Sequence, residues 1–396
     1  VAIFFRYGAE EHLTFLPPLP ELARRLGERF EVHHFGMRSP LPRPAALPES
    51  LIIHHLPLFT VRRQSTFDKF LKAAVWLLAL PGLGLYCRCR GFRAVFVDET
   101  VPLTALLLRL CFGPRVAFTV HDFFTEIYFD PRPALRPLGR LLRTVDLFAW
   151  RRLRLLITRV QKTRDYLVER GVRPERIVTV GDGGDLDLFR PGDRAAARAR
   201  WGLAPEEIVL IHHGVLHPNK GNDRVLRALA RLRDFPAPLR FLCLGDGPAL
   251  PALRALAREL GVEDRVTFTG WVDRLEDVAL ALQAADIGLA MRIGHPSDHF
   301  HLTSTLVHNM ASGLPVLAAR LAGFRDVLRE EENALLFDPD RPEDLAAQWR
   351  RLAEDPVLRT RLAAAALATA RERFDPRDVA GRLAEHLSRL ADAPVR

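Results

Sequence analysis

Lysine is the scarcest charged residue of this chain. Lys69, Lys72, Lys162 and Lys220 are four of its 57 basic residues, and the rest are arginine. Beside so much alanine, leucine and proline, that bias reflects coding composition more than a surface built for a polymer. No aromatic-interleaved basic face and no nucleic-acid module appears. The formal net charge of +9 therefore points at most to a small anionic partner, not to nucleic acid. Cysteine is equally scarce. Cys87 and Cys89 form a pair with no matching second pair, and Cys111 and Cys243 stand alone. The spacing argues against a zinc cluster and the number against a disulfide framework, so a reducing cytoplasm is the expected compartment. Long apolar runs are missing too. The longest, residues 73–87, has 15 positions and contains Pro81, Gly82 and Gly84, against the ~20 that cross a bilayer. The opening VAIFFRYG lacks the basic start and cleavage site of a secretory signal and reads as a buried strand and a turn.

What is present is an alternation. Hydrophobic residues make up 48% and charged residues 27% of 396 positions, as in a folded chain of two or three domains. Short apolar runs read as strands at 2–5, 30–35, 51–56, 94–97, 116–120, 155–158 and 177–180. They recur at 208–212, 240–244, 266–269, 287–291, 316–319 and 335–337. Amphipathic stretches between them read as helices. Continuous apolar strands separated by helices predict an α/β fold: a doubly wound parallel sheet covered on both faces, built twice. Gly, Asp and Pro concentrate in GDGGDLDLFRPGD at 181–193. The expected domains are therefore 1–190 and 191–375, with a closing helical segment at 376–396. Ligands of such sheets sit at the carboxyl ends of strands, which directs attention to the loops that follow them.

Three of those loops carry candidate chemistry. The strand at 208–212 runs into HGVLHPNKGNDRVLRAL. There Gly214 allows a tight exit, and Lys220 and Gly221 precede a helix N-terminus. An ammonium beside helix-end amides suits a phosphate. The next strand ends in LGDGP, where Gly245 and Gly247 let the backbone turn sharply or approach a ligand. Past the strand at 287–291, Arg292 can reach a diphosphate, and Ser304 and Thr305 stand ahead of a helix ending at Gly313.

The order of these motifs resembles family 4 glycosyltransferases of the GT-B fold. HHGVLHPNKG, LGDGPALPALRALARELGVEDRVTFTGWVD, AADIGLA and HNMASGLPVLA are similar to that family's donor-binding domain. GDGGDLDLFRP is similar to its inter-domain signature, and FFRYGAEEH and FTVHD match the acceptor domain. The resemblance covers nearly the whole chain. It implies two Rossmann-like domains facing across a cleft, the first binding the acceptor and the second the donor, with the last helix returning toward the first. It also implies sugar transfer from a nucleotide diphosphate sugar with retained anomeric configuration. No metal or other cofactor is expected, because protein cations and helix N-termini neutralise the departing diphosphate.

The chain departs from the family's pattern in two places. Where relatives place an arginine after the first donor-loop glycine, this sequence has Val215, and Arg292 is expected to supply the charge instead. The family's paired glutamates fall at Phe300 and His308, so Ser304, Thr305 and His308 are expected to contact the donor's sugar and ribose. In the acceptor domain His121 and Asp122 follow the strand at 116–120. His121 matches the residue that faces the transferred sugar, and Gly8 lies in the loop after the first strand, close to the donor phosphates or the acceptor. His295, Asp298, His299 and His301 allow a metal reading by spacing, but hydrogen-bonded loop histidines fit better. His212 and His213 are expected to place one ring inward and one outward.

The apolar run at 73–87 has Arg62, Arg63, Lys69 and Lys72 before it and Arg88, Arg90 and Arg93 after it, with Phe67, Phe70 and Trp76 among them. It reads either as a core helix or as a segment lying on an anionic membrane. The second reading favours a lipid-linked or membrane-proximal sugar acceptor and a peripheral position on the inner face. A rival reading is a non-catalytic glycosyltransferase-like subunit, supported by the lost glutamates and Val215. An epimerase or phosphorylase of the same fold would need further carboxylates or a pyridoxal lysine, which the sequence does not present.

Overall fold

The computed structural model describes residues 1–394 other than 40, 57–65, 100, 122, 124, 126–128 and 131, and the side chains of 14, 15 and 66–69 lie outside the description as well. The chain divides into two units: Val1–Gly183 with Pro376–Arg396, and Gly184–Asp375.

In the first unit seven strands form one parallel sheet: β1 (Ala2–Phe4), β2 (His33–Met37), β3 (Ile52–Leu56), β4 (Val95–Val97), β5 (Val116–Val120), β6 (Leu155–Thr158) and β7 (Ile177–Thr179). Their order is β3-β2-β1-β4-β5-β6-β7. The chain thus winds outward from β1 to one edge, returns to β4 beside β1, and winds to the other edge. Parallel pairing puts every strand's carboxyl end on one side, and the switch point lies between β1 and β4. β2 starts later than the apolar run predicts. The amide of Phe30 still bonds to the carbonyl of Leu26, so the helix exit takes up the first of those residues.

Alternation along the strands serves two cores. Ile3, Phe96, Ala117 and Ile157 pack with Leu19, Leu22 and Leu26 of the helix Leu19–Gly27 and with Val379, Leu383 and Leu387 of Pro376–Asp392. Phe4 turns the other way and meets Trp76 edge-on at 6.2 Å. Trp76 belongs to the 24-residue helix Thr66–Cys89, which is continuous through Pro81. Over Phe70–Cys89 it is long and apolar enough to cross a bilayer. Even so, Ala73, Trp76, Leu80, Gly84 and Cys87 turn into the unit as one stripe. Gly84 lets the helix Thr104–Cys111 come close, since a Cβ there would sit 3.0 Å from Cys111 Cβ. The opposite stripe, Leu71, Leu78 and Leu85, is exposed, Leu78 at 82%.

The second unit repeats the plan with β8 (Ile208–His213), β9 (Leu239–Leu244), β10 (Val266–Phe268), β11 (Ile287–Ala290), β12 (Val316–Ala319) and β13 (Ala334–Phe337). The order is β10-β9-β8-β11-β12-β13, all parallel, with the switch point between β8 and β11. The division between the units falls earlier than residue 190. Phe189 is 1% exposed within the second core, and Gly184 donates its amide to the carbonyl of Phe374.

Leu387 is fully buried in the first unit's core. Leu387→Ala is expected to destabilise that unit by ~2–5 kcal/mol through the lost burial and the cavity left behind. A lowered urea midpoint in the transition that reports the first unit checks this.

Candidate functional site

At the carboxyl edge of the first sheet, one carboxylate gathers residues from several strands. Asp98 directly follows β4 and is 1% exposed. Its Oδ1 accepts from His121 Nε2 at 2.7 Å and its Oδ2 from His12 Nε2 at 3.0 Å. Arg159, just past β6, places Nη2 3.4 Å from both oxygens, and its Nη1 donates to Asp182 beyond β7. Burial alone would raise the Asp98 carboxyl. The charges of His121 and Arg159 and the bonds from the two imidazoles overcome it and hold the group well below the ordinary carboxylate range.

Burial also lowers His12 and His34, so both are neutral imidazoles. With His12 Nε2 donating to Asp98, its Nδ1 accepts from His34 Nε2 at 3.1 Å, and the tautomers run in register along the row. His121 is the member that reaches the surface, its side chain 23% exposed. Its Nε2 donates to Asp98, which fixes the orientation of the ring. Asp122, expected beside it, lies outside the described residues.

Gly8 sits in this unit, at the start of the helix Ala9–Phe15. A Cβ there would meet Glu10 Oε2 at 2.4 Å and Ser39 Cβ at 2.8 Å. A carboxylate occupies the space, which disfavours a phosphate at that loop. The glycine is needed instead for the packing of Glu10.

In the second unit, β8 enters the loop carrying Gly214, Lys220 and Gly221. Gly214 (φ 123°) has open space where a Cβ would be. Gly221 (φ 69°) caps the helix Asn222–Arg231, and a Cβ on it would lie 2.6 Å from Met291 Cε. This holds the loop after β8 against the residues after β11. Gly245 (φ 140°) and Gly247 (φ 153°) allow the sharp turn and also a close approach of backbone to backbone. A Cβ at Gly245 would fall 1.9 Å from the carbonyl oxygen of Gly214, and one at Gly247 2.5 Å from that of Leu216. Gly214 donates its amide to Leu244, Leu216 to Asp246 and Ala249 to Leu216, at 2.8–3.0 Å. The two glycines let one loop's backbone lie against the other's, so they support the loop after β8 from behind.

Lys220 is half-buried at the end of the turn Pro218–Lys220. Its surroundings are histidines held neutral. Burial, His213 and the Lys220 ammonium push His212 down to about 3, and burial with Lys220 pushes His213 to about 4. Both rings are buried, contrary to the expected inward–outward split, because helices cover both faces of the sheet. His308, lowered by burial and by His213, stacks on Phe189 at 3.6 Å and 10° and on His213 at 5.2 Å and 11°. The position where relatives carry a glutamate thus holds a clamped neutral ring. Thr305 donates its hydroxyl to the carbonyl of His213 at 3.2 Å, which commits that proton to the backbone. Ser304 is exposed, and Thr303 caps the helix Ser304–Ala311.

Arg292 does not stand as an added cation. Its Nη1 donates to the buried Asp298 at 3.2 Å, so the pair is neutral overall. Asp298 also accepts the amide of His295, and the His299 ring accepts the amide of Ala322. These side chains fasten the loop after β11. Asp98, Arg159 and His12 were missed in the sequence; the available signal was a carboxylate directly after an apolar strand, VFVD.

His212 and His213 set a pH dependence. Their folded values lie below the ordinary 6.5, so the unfolded chain takes up protons first. The stability of the neutral state is full above pH 6.5 and is lost as pH falls toward 4 and below. His212→Leu is expected to flatten the fall in urea-unfolding free energy across that window by about 1 kcal/mol per pH unit. An unchanged slope contradicts the assignment.

Residues 19–188 match a family model described as Glycosyltransferase Family 4, and residues 207–355 match one described as Glycosyl transferases group 1. The D-inositol 3-phosphate glycosyltransferase of Rhodococcus jostii is 37% identical over 247 residues, 60% of this chain and 51% of the relative. The protein of the same name from Thermobispora bispora is 33% identical over 264 residues, 64% and 59% of the two chains. The chain spans about half the length of the curated relatives it matches. Sucrose-phosphate synthase from Thermosynechococcus elongatus superposes with a TM-score of 0.76 at 22% identity, covering 98% of each chain. HepE of Anabaena, solved with UDP and glucose, gives 0.72 at 19% identity, again with 98% of each chain covered. At these identities the structural likeness establishes the fold, which is GT-B.

Proposed function

The chain belongs to the glycosyltransferases, a Family 4 domain leading into a group 1 domain, and on that premise we propose that it moves a sugar from a nucleoside diphosphate sugar to a hydroxyl acceptor with retention of configuration. One observation carries the reading. A lysine rare in this chain is held at the carboxyl end of β8, at the N-terminus of a ten-residue helix, among histidines kept neutral. That arrangement concentrates positive potential where a leaving diphosphate needs it.

In this proposal the bond from the sugar's anomeric carbon to the diphosphate oxygen breaks as the acceptor oxygen bonds to the same face. The departing phosphate oxygen takes the acceptor's proton. Lys220 and the first-turn amides of the helix Asn222–Arg231 carry the developing negative charge, in place of a resident divalent metal. His121, oriented by Asp98, contacts a hydroxyl of the acceptor held by the first unit. The first unit takes the acceptor and the second the donor. The neutral ring at residue 308 replaces a carboxylate at the ribose, which shifts affinity toward the diphosphate.

Lys220→Met is expected to weaken a nucleoside diphosphate by about tenfold or more, the loss of one charge-assisted contact, while leaving the affinity for the nucleoside alone unchanged. Calorimetry with UDP, GDP, ADP, CMP and dTDP measures it. Binding without donor hydrolysis or transfer favours a non-catalytic binding subunit, and no binding of any of them at millimolar concentration contradicts the proposal.

We place the protein in the cytoplasm, peripheral on the inner membrane face, with a lipid-linked acceptor. The support is the outward stripe of Leu71, Leu78 and Leu85 with Tyr86, joined by Leu110, Leu138, Leu141 and Phe148 on the helices packed alongside. Arg88, Arg90, Arg93, Arg136 and Arg140 are exposed on the same helices and the turn after them. Apolar side chains bordered by arginine suit an anionic lipid surface. The protein is expected to float with vesicles containing phosphatidylglycerol and not with phosphatidylcholine alone, and Leu78→Glu with Leu85→Glu to abolish flotation. Equal recovery of wild type and variant contradicts the placement.

A further inference from the structure

Beside the switch point of the first sheet lies an ion pair that fails to close. Arg6 follows β1 and Glu99 follows β4, the two strands that flank the crevice. Arg6 Nε is 4.0 Å from Glu99 Oε2, beyond hydrogen-bond reach. Glu99 is 5% exposed and the Arg6 side chain 15%. Glu99 Oε2 and both Nε and Nη1 of Arg6 are buried with no hydrogen-bond partner among the described residues. The other carboxylate oxygen has a 3.5 Å contact from the Thr104 hydroxyl, and the Trp76 indole N–H also draws the carboxyl down. Leaving these buried polar atoms of two ionisable groups unsatisfied is costly, and native structures seldom tolerate it without an occupant.

The chemistry of the gap selects the occupant. It offers N–H donors on one side and a carboxylate acceptor on the other. A hydroxyl satisfies both at once, accepting from Arg6 and donating to Glu99. A phosphate satisfies Arg6 and meets the carboxylate as a like charge. Burial raises Glu99 to about 7, against the pull of Arg6, so this group is easily disturbed by what binds beside it. The geometry points to a seat for one hydroxyl of a neutral polyhydroxylated ring, gripped between Arg6 and Glu99. Resting on the transferase reading above, this makes the acceptor's recognised part a sugar or cyclitol ring whose anionic group, if it has one, lies elsewhere.

Saturation-transfer NMR with myo-inositol as the neutral probe and D-inositol 3-phosphate as the charged one tests it, in wild type, Glu99→Gln and Arg6→Met. The wild type is expected to bind both probes. Each variant is expected to lose about tenfold in affinity for each, as when a charge-assisted hydrogen bond is removed, with nucleoside diphosphate affinity unchanged. Three results overturn the seat: no signal from either probe at tens of millimolar, variants that lower thermal stability but leave probe affinity intact, or a gain in phosphate affinity on Glu99→Gln. The last would make the gap an anion site. Failure of the transferase reading shows separately, as a wild type that binds no nucleotide.

Discussion

A parallel sheet delivers every strand's carboxyl end to one edge, and all the chemistry described above depends on that constraint. Strand-end dipoles and loop amides accumulate there, and residues far apart in sequence become neighbours. In the first unit the edge collects Asp98, His121 and Arg159 from just past β4, β5 and β6, and His12 from the helix Ala9–Phe15 that follows β1. In the second it collects Lys220, His213 and His308. The hydrophobic cores fix the strands rigidly enough to hold these groups within hydrogen-bond and stacking distance.

The two edges solve the cost of buried polarity in opposite ways. Asp98 remains charged because an arginine and two imidazoles surround it. His212, His213 and His308 remain neutral because burial and a neighbouring ammonium forbid a second positive charge. The first edge is therefore locked and oriented, suited to holding a ring of hydroxyls near His121. The second keeps Lys220 beside rings that carry no charge to compete with it. Arg292 adds no net charge, since Asp298 answers it. The burden of an anionic leaving group then falls on one ammonium and the helix-end amides.

Much of this was legible in the sequence because apolar runs and strand ends are local signals. Among the described residues every strand overlaps a short hydrophobic run that predicts it, β2 with a later start, and Lys220 between a strand and a helix marks itself. What could not be read was relational. Gly245 and Gly247 signal backbone freedom, but only the fold shows that the backbone they admit belongs to Gly214 and Leu216. Arg292 reads as a free cation until Asp298, six residues on, is seen to fold back onto it. Asp98 and the Arg6–Glu99 pair require knowing that β1 and β4 are neighbours, which no periodicity encodes. Pro81 predicts a break, yet the helix runs through it, held in register by the buried stripe from Ala73 to Cys87.

The central claim is that the loop between β8 and its helix grips a diphosphate through Lys220. A crystal structure with a bound nucleoside diphosphate sugar tests it most directly. The account predicts diphosphate oxygens within hydrogen-bond distance of Lys220 Nζ and of the first-turn amides of the helix Asn222–Arg231. A diphosphate bound elsewhere, with the Lys220 side chain turned away into solvent, would contradict it.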